Sequence, residues 1–320
     1  MTAWQQQLAE GFSNSSTLLE YLGLDPNLAD PQAEQSFATR VPKHFADLMT
    51  PSIDDPLLRQ VWAQGAENLQ APGYSDDPLQ EQHAAAPGLL HKYQSRVLLI
   101  LRGGCAINCR YCFRRAFPYA ELTLTQRAMQ ASLDYIQAHP EVNEVILSGG
   151  DPLMADDKAI SGLLDQLEAI AHLRRIRIHT RLPVVIPDRL TDALLVRLTQ
   201  SRLKPVLVLH SNHAQEISPL LRERLQPYVR QMPVLNQSVL LAGVNDDVDT
   251  LSELSEALFD ADIRPYYLFL LDRVNGAAHF EVDEREARAL YQSLQSRLPG
   301  FLVPKLAREI PDRASKTLVV

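Results

Sequence analysis

All three cysteines of this 320-residue chain fall inside one stretch, "CAINCRYC", as Cys105, Cys109 and Cys112. The spacing C-x3-C-x2-C puts thiolates at i, i+4 and i+7, which predicts convergence on one side of a helical turn or tight loop. Soft ligands of this kind suit zinc, copper or an iron–sulfur cluster. A structural zinc site takes four ligands, so a histidine would have to supply the fourth. "CRYC" alone reads as a C-x-x-C redox pair, which leaves Cys105 without a role. Buried structural thiols would not explain the clustering. A [4Fe–4S] cluster with three protein ligands uses every thiol and leaves one iron open to a small molecule, and this reading is preferred.

These thiols must be positioned by a repeating pattern that begins near residue 96. Short apolar or β-branched runs occur at 96–101, 142–148, 175–180, 205–210, 236–243 and 264–271, with helical-period segments such as 123–139 and 249–261 between them. Strands alternating with helices predict parallel strands and right-handed crossovers. The near-continuous apolar character of the strands predicts a sheet buried on both faces. Six units make an α/β fold of the open (β/α)6 partial-barrel type, with a doubly wound sheet as the alternative. Polar residues cluster after the strand ends, as "GGC", "SGGDP", "HTR", "HSNH" and "DRVNG". In parallel α/β folds that edge binds ligands. Residues 1–90 read as an N-terminal helical extension broken by prolines, 91–275 as the partial barrel, and 276–320 as a C-terminal segment that closes the site. Within the extension, Asp55-Pro56 reads as a helix start.

Net charge is −8, which disfavours nucleic acid as a partner. The N-terminus lacks the pattern of a signal peptide, and no apolar run reaches the length of a membrane span, so neither export nor a membrane is expected. An odd cysteine count without export signals fits a reducing cytoplasm.

The aromatic before the last thiol, in a loop after the first barrel strand, makes the motif C-x3-C-x-aromatic-C, which resembles the radical S-adenosylmethionine superfamily. That resemblance implies a [4Fe–4S] cluster on Cys105, Cys109 and Cys112, whose open iron chelates S-adenosyl-L-methionine, and an external electron donor. It implies Tyr111 beside that cofactor, and Ser148, Gly149, Gly150 and Asp151 ("SGGD") as the element that takes the methionine amino group. Within the superfamily, "HKYQSRVLLI", "CRYCFRR", "LPVVIP", "HSNHAQEI", "NQSVLLAGVND", "PYYLFLLDRVNGAAHF" and "SKT" are similar, in order, to stretches of lysine 2,3-aminomutase and its short relatives. The similarity covers roughly residues 40–318.

The closer resemblance implies pyridoxal 5'-phosphate as a further cofactor, carried by Lys316, whose neutral amine would condense with the aldehyde. The family lysine usually follows a glycine run, whereas "IPDRA" precedes "SKT" here. Lys305 is the competing choice but comes too early in the matched order. Lys92, Tyr93 and Arg96 match the element that holds the cofactor phosphate. Arg114 matches a clamp for the substrate carboxylate, a bidentate task suited to a guanidinium. Asp272 matches an acid that holds the distal ammonium of L-lysine, and Glu309 falls near a second. His210 and Gln237 match contacts to S-adenosylmethionine.

The implied reaction turns L-α-lysine into (R)-β-lysine. The chain ends four residues after Lys316, which resembles the short branch whose product a lysyl-tRNA-synthetase-like ligase attaches to translation elongation factor P. A free-standing catabolic or osmolyte-forming lysine 2,3-aminomutase, or one acting on glutamate or arginine, is the alternative function. A zinc-stabilised or C-x-x-C redox protein is the alternative of a different class. Whether the chain works as a homo-oligomer is left open.

Overall fold

The computed structural model describes residues 2–81, 85–117 and 125–319. One sheet runs through it in strict chain order: β1 (Leu89–Tyr93), β2 (Arg96–Arg102), β3 (Glu144–Gly149), β4 (Arg175–Thr180), β5 (Lys204–His210), β6 (Val234–Val239), β7 (Arg264–Phe269), β8 (Lys305–Arg308) and β9 (Thr317–Leu318). Strands β2 to β8 are parallel, while β1 and β9 pair antiparallel at the two edges. The first and last strands do not pair with each other, so the barrel is open.

The six expected strands are β2 to β7. β6 begins two residues earlier than expected and stops at Val239, so Leu240 and Leu241 pass into the following loop. The sequence reading missed β1, β8 and β9, because five, four and two residues are too few for a period-two pattern to stand out. The expected helices form as Gln126–Ala138, capped by Thr125, and Val248–Asp260, capped by Asp247. Positions 123 and 124 of the first expected segment lie outside the described residues.

Paired residues in register share a face, so the ladder assigns every side chain. Val97, Leu99, Val145, Leu147, Ile176 and Ile178 face outward and are all buried. They join one core with Ile136, Leu164, Leu198 and Leu225 from the crossover helices. Truncating one of them to alanine would cost about 2–5 kcal/mol. The inner face differs. Arg96, Arg177, His179, His210, Gln237 and Tyr267 stand there half-buried. The expectation of a sheet buried on both faces is corrected for part of the inner face: Ile100, Ile146 and Val208 are buried there, but polar side chains line the open barrel beside them.

In the N-terminal residues, short helices alternate with turns, and prolines at their first positions fix where several begin. Asp55 caps Pro56–Arg59 by accepting from the amides of Leu57 and Leu58, as its Asp-Pro pair predicts. Trp4, Leu18, Phe45 and Leu57 join the same core as the barrel. Among the described residues, no helix is long and apolar enough to cross a membrane.

Candidate active site

The thiol loop follows β2 and is built of turns. The amide of Cys112 donates to the Cys109 carbonyl at 3.0 Å, and that of Arg115 to the Cys112 carbonyl at 3.0 Å. The N-terminal residues brace it from outside. The Asn108 amide donates to the Arg40 carbonyl, the Arg110 amide to the Gln60 carbonyl, and the Arg40 guanidinium to the Cys105 carbonyl. Arg110 is fully buried and donates to both oxygens of Glu67, at 2.8 and 2.6 Å, and to the carbonyls of Ala33 and Phe37. A buried guanidinium is tolerable only when satisfied in this way. Arg115 reaches the same Glu67 at 2.8 Å.

Burial pushes the Cys105 thiol well up from its ordinary range, and Asp151, Cys112 and Cys109 push it further. Burial and then Cys109 raise Cys112 to about 11. Thiols that ionise this reluctantly suit a cationic centre able to take the proton's place. Among the described residues, no three His, Cys, Asp or Glu side chains gather as a single metal ion demands. The three thiols share one loop and lie close enough to bear on one another's charge, Cys112 and Cys109 on Cys105 and Cys109 on Cys112, as ligands of one centre must.

The "SGGD" element lies against this loop by necessity. A Cβ on Gly150 would sit 2.6 Å from the Gly104 carbonyl oxygen, and one on Gly149, at φ +116°, 2.6 Å from Ile100. The Gly150 amide donates to the Arg102 carbonyl and the Asp151 amide to the Gly104 carbonyl. Two glycines therefore let the end of β3 touch the backbone just before Cys105. Asp151 turns the other way: its carboxylate accepts from the Thr180 hydroxyl and the amides of Leu153, Arg181 and Leu182. It ties the end of β3 to the end of β4.

Arg181 continues that line into a buried network. Its guanidinium donates to the Cys109 sulfur and the Tyr111 hydroxyl, both at 2.7 Å, to Gln60 at 2.7 Å and to Glu216 at 3.0 Å. Asn212 also donates to the Tyr111 hydroxyl, at 2.7 Å. That hydroxyl can donate to His210 Nε2 at 2.8 Å, the nearer acceptor, or to Gln60 Oε1 at 3.3 Å, and the Tyr111 and His210 rings stack. Burial, with Arg181 adding to it, pushes the His210 pKa down to about 3, so the ring is neutral and Nε2 can accept. Gln237 lies beside His210 in the ladder.

The opposite half of the lumen holds charges in pairs. Arg114, buried, donates to both oxygens of Glu81, at 2.5 and 3.0 Å, to the Gly149 carbonyl at 3.1 Å, and to the Ser148 hydroxyl at 3.4 Å. Lys92 bridges Glu81 at 2.8 Å and Glu309 at 3.0 Å. Lys316 Nζ lies 2.5 Å from Glu309 and 4.6 Å from the centre of the Phe269 ring. Lys305, by contrast, is exposed. Arg96 stacks over Tyr93 at 4.1 Å. The two acids on which Lys316 bears differ. Burial raises Glu309, but Lys316 and Lys92 outweigh it and hold its pKa at about 2. Burial and then Glu309 push Asp272 up to about 7.

The structure thus gathers Cys105, Cys109, Cys112, Tyr111 and His210 in one half, and Lys92, Arg114, Glu309 and Lys316 in the other, with Ser148 and Gly149 where they meet. Sequence reasoning missed Gln60, Glu81, Arg181, Asn212 and Glu216. Arg181 and Asn212 lie in the polar clusters after β4 and β5, so a signal was present. Gln60 and Glu81 lie in the proline-broken segment, where nothing in their spacing marks them.

Comparison with known proteins bears on this arrangement. Residues 99–201, from β2 past β4, match the family model described as the radical SAM superfamily. The chain is 52% identical to L-lysine 2,3-aminomutase of Escherichia coli (strain K12), over 98% of this chain and 93% of that protein. It is 48% identical to that of Haemophilus influenzae, over 98% and 95%. It is 31% identical to that of Clostridium subterminale, over 99% of this chain but 77% of the relative.

Proposed function

The chain belongs to the lysine 2,3-aminomutase family of radical S-adenosylmethionine isomerases, and from that premise we propose that it converts L-α-lysine to (R)-β-lysine for the modification of translation elongation factor P. The observation that carries the substrate is a pair of recognition groups of opposite charge, Arg114 and Glu309, linked through Glu81 and Lys92. Arg114 already grips a carboxylate, that of Glu81, with two nitrogens, and Glu309 already grips an ammonium, that of Lys316. An amino acid with a carboxylate at one end and an ammonium at the other would take both kinds of partner.

Cys105, Cys109 and Cys112 would hold the [4Fe–4S] cluster. Ser148, Gly149, Gly150, Tyr111, His210 and Gln237 would border S-adenosyl-L-methionine. Lys316 would carry pyridoxal 5'-phosphate, with Lys92, Tyr93 and Arg96 on its phosphate side. Bound together, these groups supply a hydrogen-abstracting radical and a conjugated ring that delocalises an unpaired electron. The chain's own residues do the rest. Arg114 and Ser148 fix the carboxylate end of the substrate beside the thiol loop. Asp272 and Glu309 hold the distal ammonium, and an uncharged side chain would leave buried charge unpaired there. Glu309 stays ionised and is shared with Lys316 and Lys92, while Asp272, pushed up to about 7, can give up its proton when an ammonium arrives beside it.

Anaerobically reconstituted enzyme given S-adenosylmethionine, a reductant and L-lysine should form 3,6-diaminohexanoate. Turnover of a different amino acid, with none from lysine, would overturn the substrate. Transfer of the product by a lysyl-tRNA-synthetase-like ligase to elongation factor P, and failure of that ligase with α-lysine at equal concentration, tests the role in translation.

A further inference from the structure

His179 stands on the inner face of β4, in register with Val208 of β5 and on the same face as Arg177. Its Nε2 is shut off from solvent and meets no hydrogen-bond partner. Buried polar atoms are ordinarily satisfied, so an orphan on the inner face of the barrel points to a bound group as the missing partner. The charged or titratable groups that bear on the ring are Arg177, Lys316, Arg114 and His210, and with burial they hold it neutral. No carboxylate is among the groups that bear most on the ring, and Glu309, Glu81 and Glu144 are engaged with Lys316 and Lys92, with Arg114, and with Arg177. With cations on several sides and no carboxylate among those groups, an anionic oxygen is the ligand this position would attract.

We propose that His179 is a further binding residue of the reaction, its neutral ring donating from Nε2 to an anionic oxygen of the ligands held between Lys316 and Arg114. The inference rests on the pyridoxal phosphate and lysine reading above. Two oxygens have this chemistry next to the point where cofactor and amino acid join: the ring phenolate of pyridoxal phosphate and the α-carboxylate of the substrate. A donor there fixes the plane of the joined ligands, which Arg114 and Lys316 at the ends would leave free to rotate.

Equilibrium titration distinguishes the sources. Wild type, His179→Phe (volume without a donor) and His179→Asn (a donor retained) are titrated first with pyridoxal phosphate alone, following its visible absorbance. The loaded proteins are then titrated with L-lysine and with 1,5-diaminopentane, which lacks the carboxylate. If the phenolate is the partner, His179→Phe shifts the cofactor absorbance before any amine is added and weakens cofactor binding about 10- to 100-fold. If the carboxylate is the partner, the cofactor titration is unchanged, lysine binding weakens by that factor, and diaminopentane binding does not. In either case His179→Asn recovers part of the loss. Should the Phe variant fail to fold, His179→Ala replaces it, with added imidazole expected to restore binding. Variants that titrate like wild type in both arms overturn the proposal alone. A wild type that takes up no pyridoxal phosphate overturns the cofactor reading, and this proposal with it.

Discussion

The two halves of the lumen are held together by different means. Around Tyr111 and Cys109, the groups are tied by hydrogen bonds that leave little to rearrange: Arg181 alone reaches Cys109, Tyr111, Gln60 and Glu216. Around Lys316, acids and bases of the chain neutralise one another through Glu81, Arg114, Lys92 and Glu309. The first half is preorganised. The second is compensated, so a charged ligand would enter it by exchanging partners. On the proposed function the difference has a chemical reason: radical generation would demand fixed distances, whereas holding an amino acid and a phosphate would demand charges that are satisfied before the ligands arrive and free afterwards.

The comparison breaks most completely where each half loses its anchor. Cys112→Ser should abolish product formation and leave the reconstituted protein without the iron and visible absorbance of the wild type. The loop turns, whose bonds use backbone, should survive in the circular dichroism spectrum. Lys316→Arg is the matching change in the other half. It keeps a cation for Glu309 but cannot condense with an aldehyde. Borohydride reduction should then fix no pyridoxyl label and turnover should vanish, while the iron content stays that of the wild type. Label on Lys305 in the wild-type protein would refute the choice of Lys316.

Smaller effects sharpen the contrast. Arg114→Lys keeps the charge and an ion pair with Glu81 but loses the two-pronged grip. The KM for lysine should rise about 10- to 100-fold, with iron content unchanged. Arg181→Lys acts on the preorganised half. A single ammonium cannot serve four acceptors spread along the guanidinium, so turnover should fall about tenfold, and the cluster should bleach faster in air. A KM change for Arg181→Lys without a change in cluster lifetime would show that the two halves are not separate in this sense.

Much of this division is legible in the chain. Clustered thiols and strand-end polar residues mark the first half, because metal ligands and parallel strands both leave local patterns. The compensated half is less legible. Glu81 and Arg114 are 33 positions apart, and Lys92 and Glu309 are 217 apart, so no local spacing relates them. Lys316 and Glu309 come into view through resemblance. Their approach depends on β8 and β9, which are too short to be read from periodicity. The lumen itself is hidden for a different reason. Alternation of Val97, Leu99, Val145 and Leu147 with Leu98 and Ile146 looks like unbroken apolar sequence until the register shows which residues face inward, and only β4, "RIRIHT", alternates openly.

The smallest effect concerns Asp272, where compensation is incomplete. Burial and the charge of Glu309 raise its pKa from 3.8 to about 7. A carboxyl with a raised folded pKa stabilises the fold most while protonated in both states, below the unfolded value near 4. That contribution is lost as pH rises through about 7. Wild-type thermal stability should therefore decline between about pH 4 and pH 7 relative to Asp272→Asn, whose amide does not titrate, and the two curves should run parallel above that window. Lysine should reverse the trend. An ammonium placed beside Asp272 favours its ionised form, so binding below pH 7 should release a proton, read by calorimetry in buffers of different ionisation enthalpy. Asp272→Asn should abolish that release. Proton release that persists in the variant would assign it to another group and leave Asp272 outside the ammonium site.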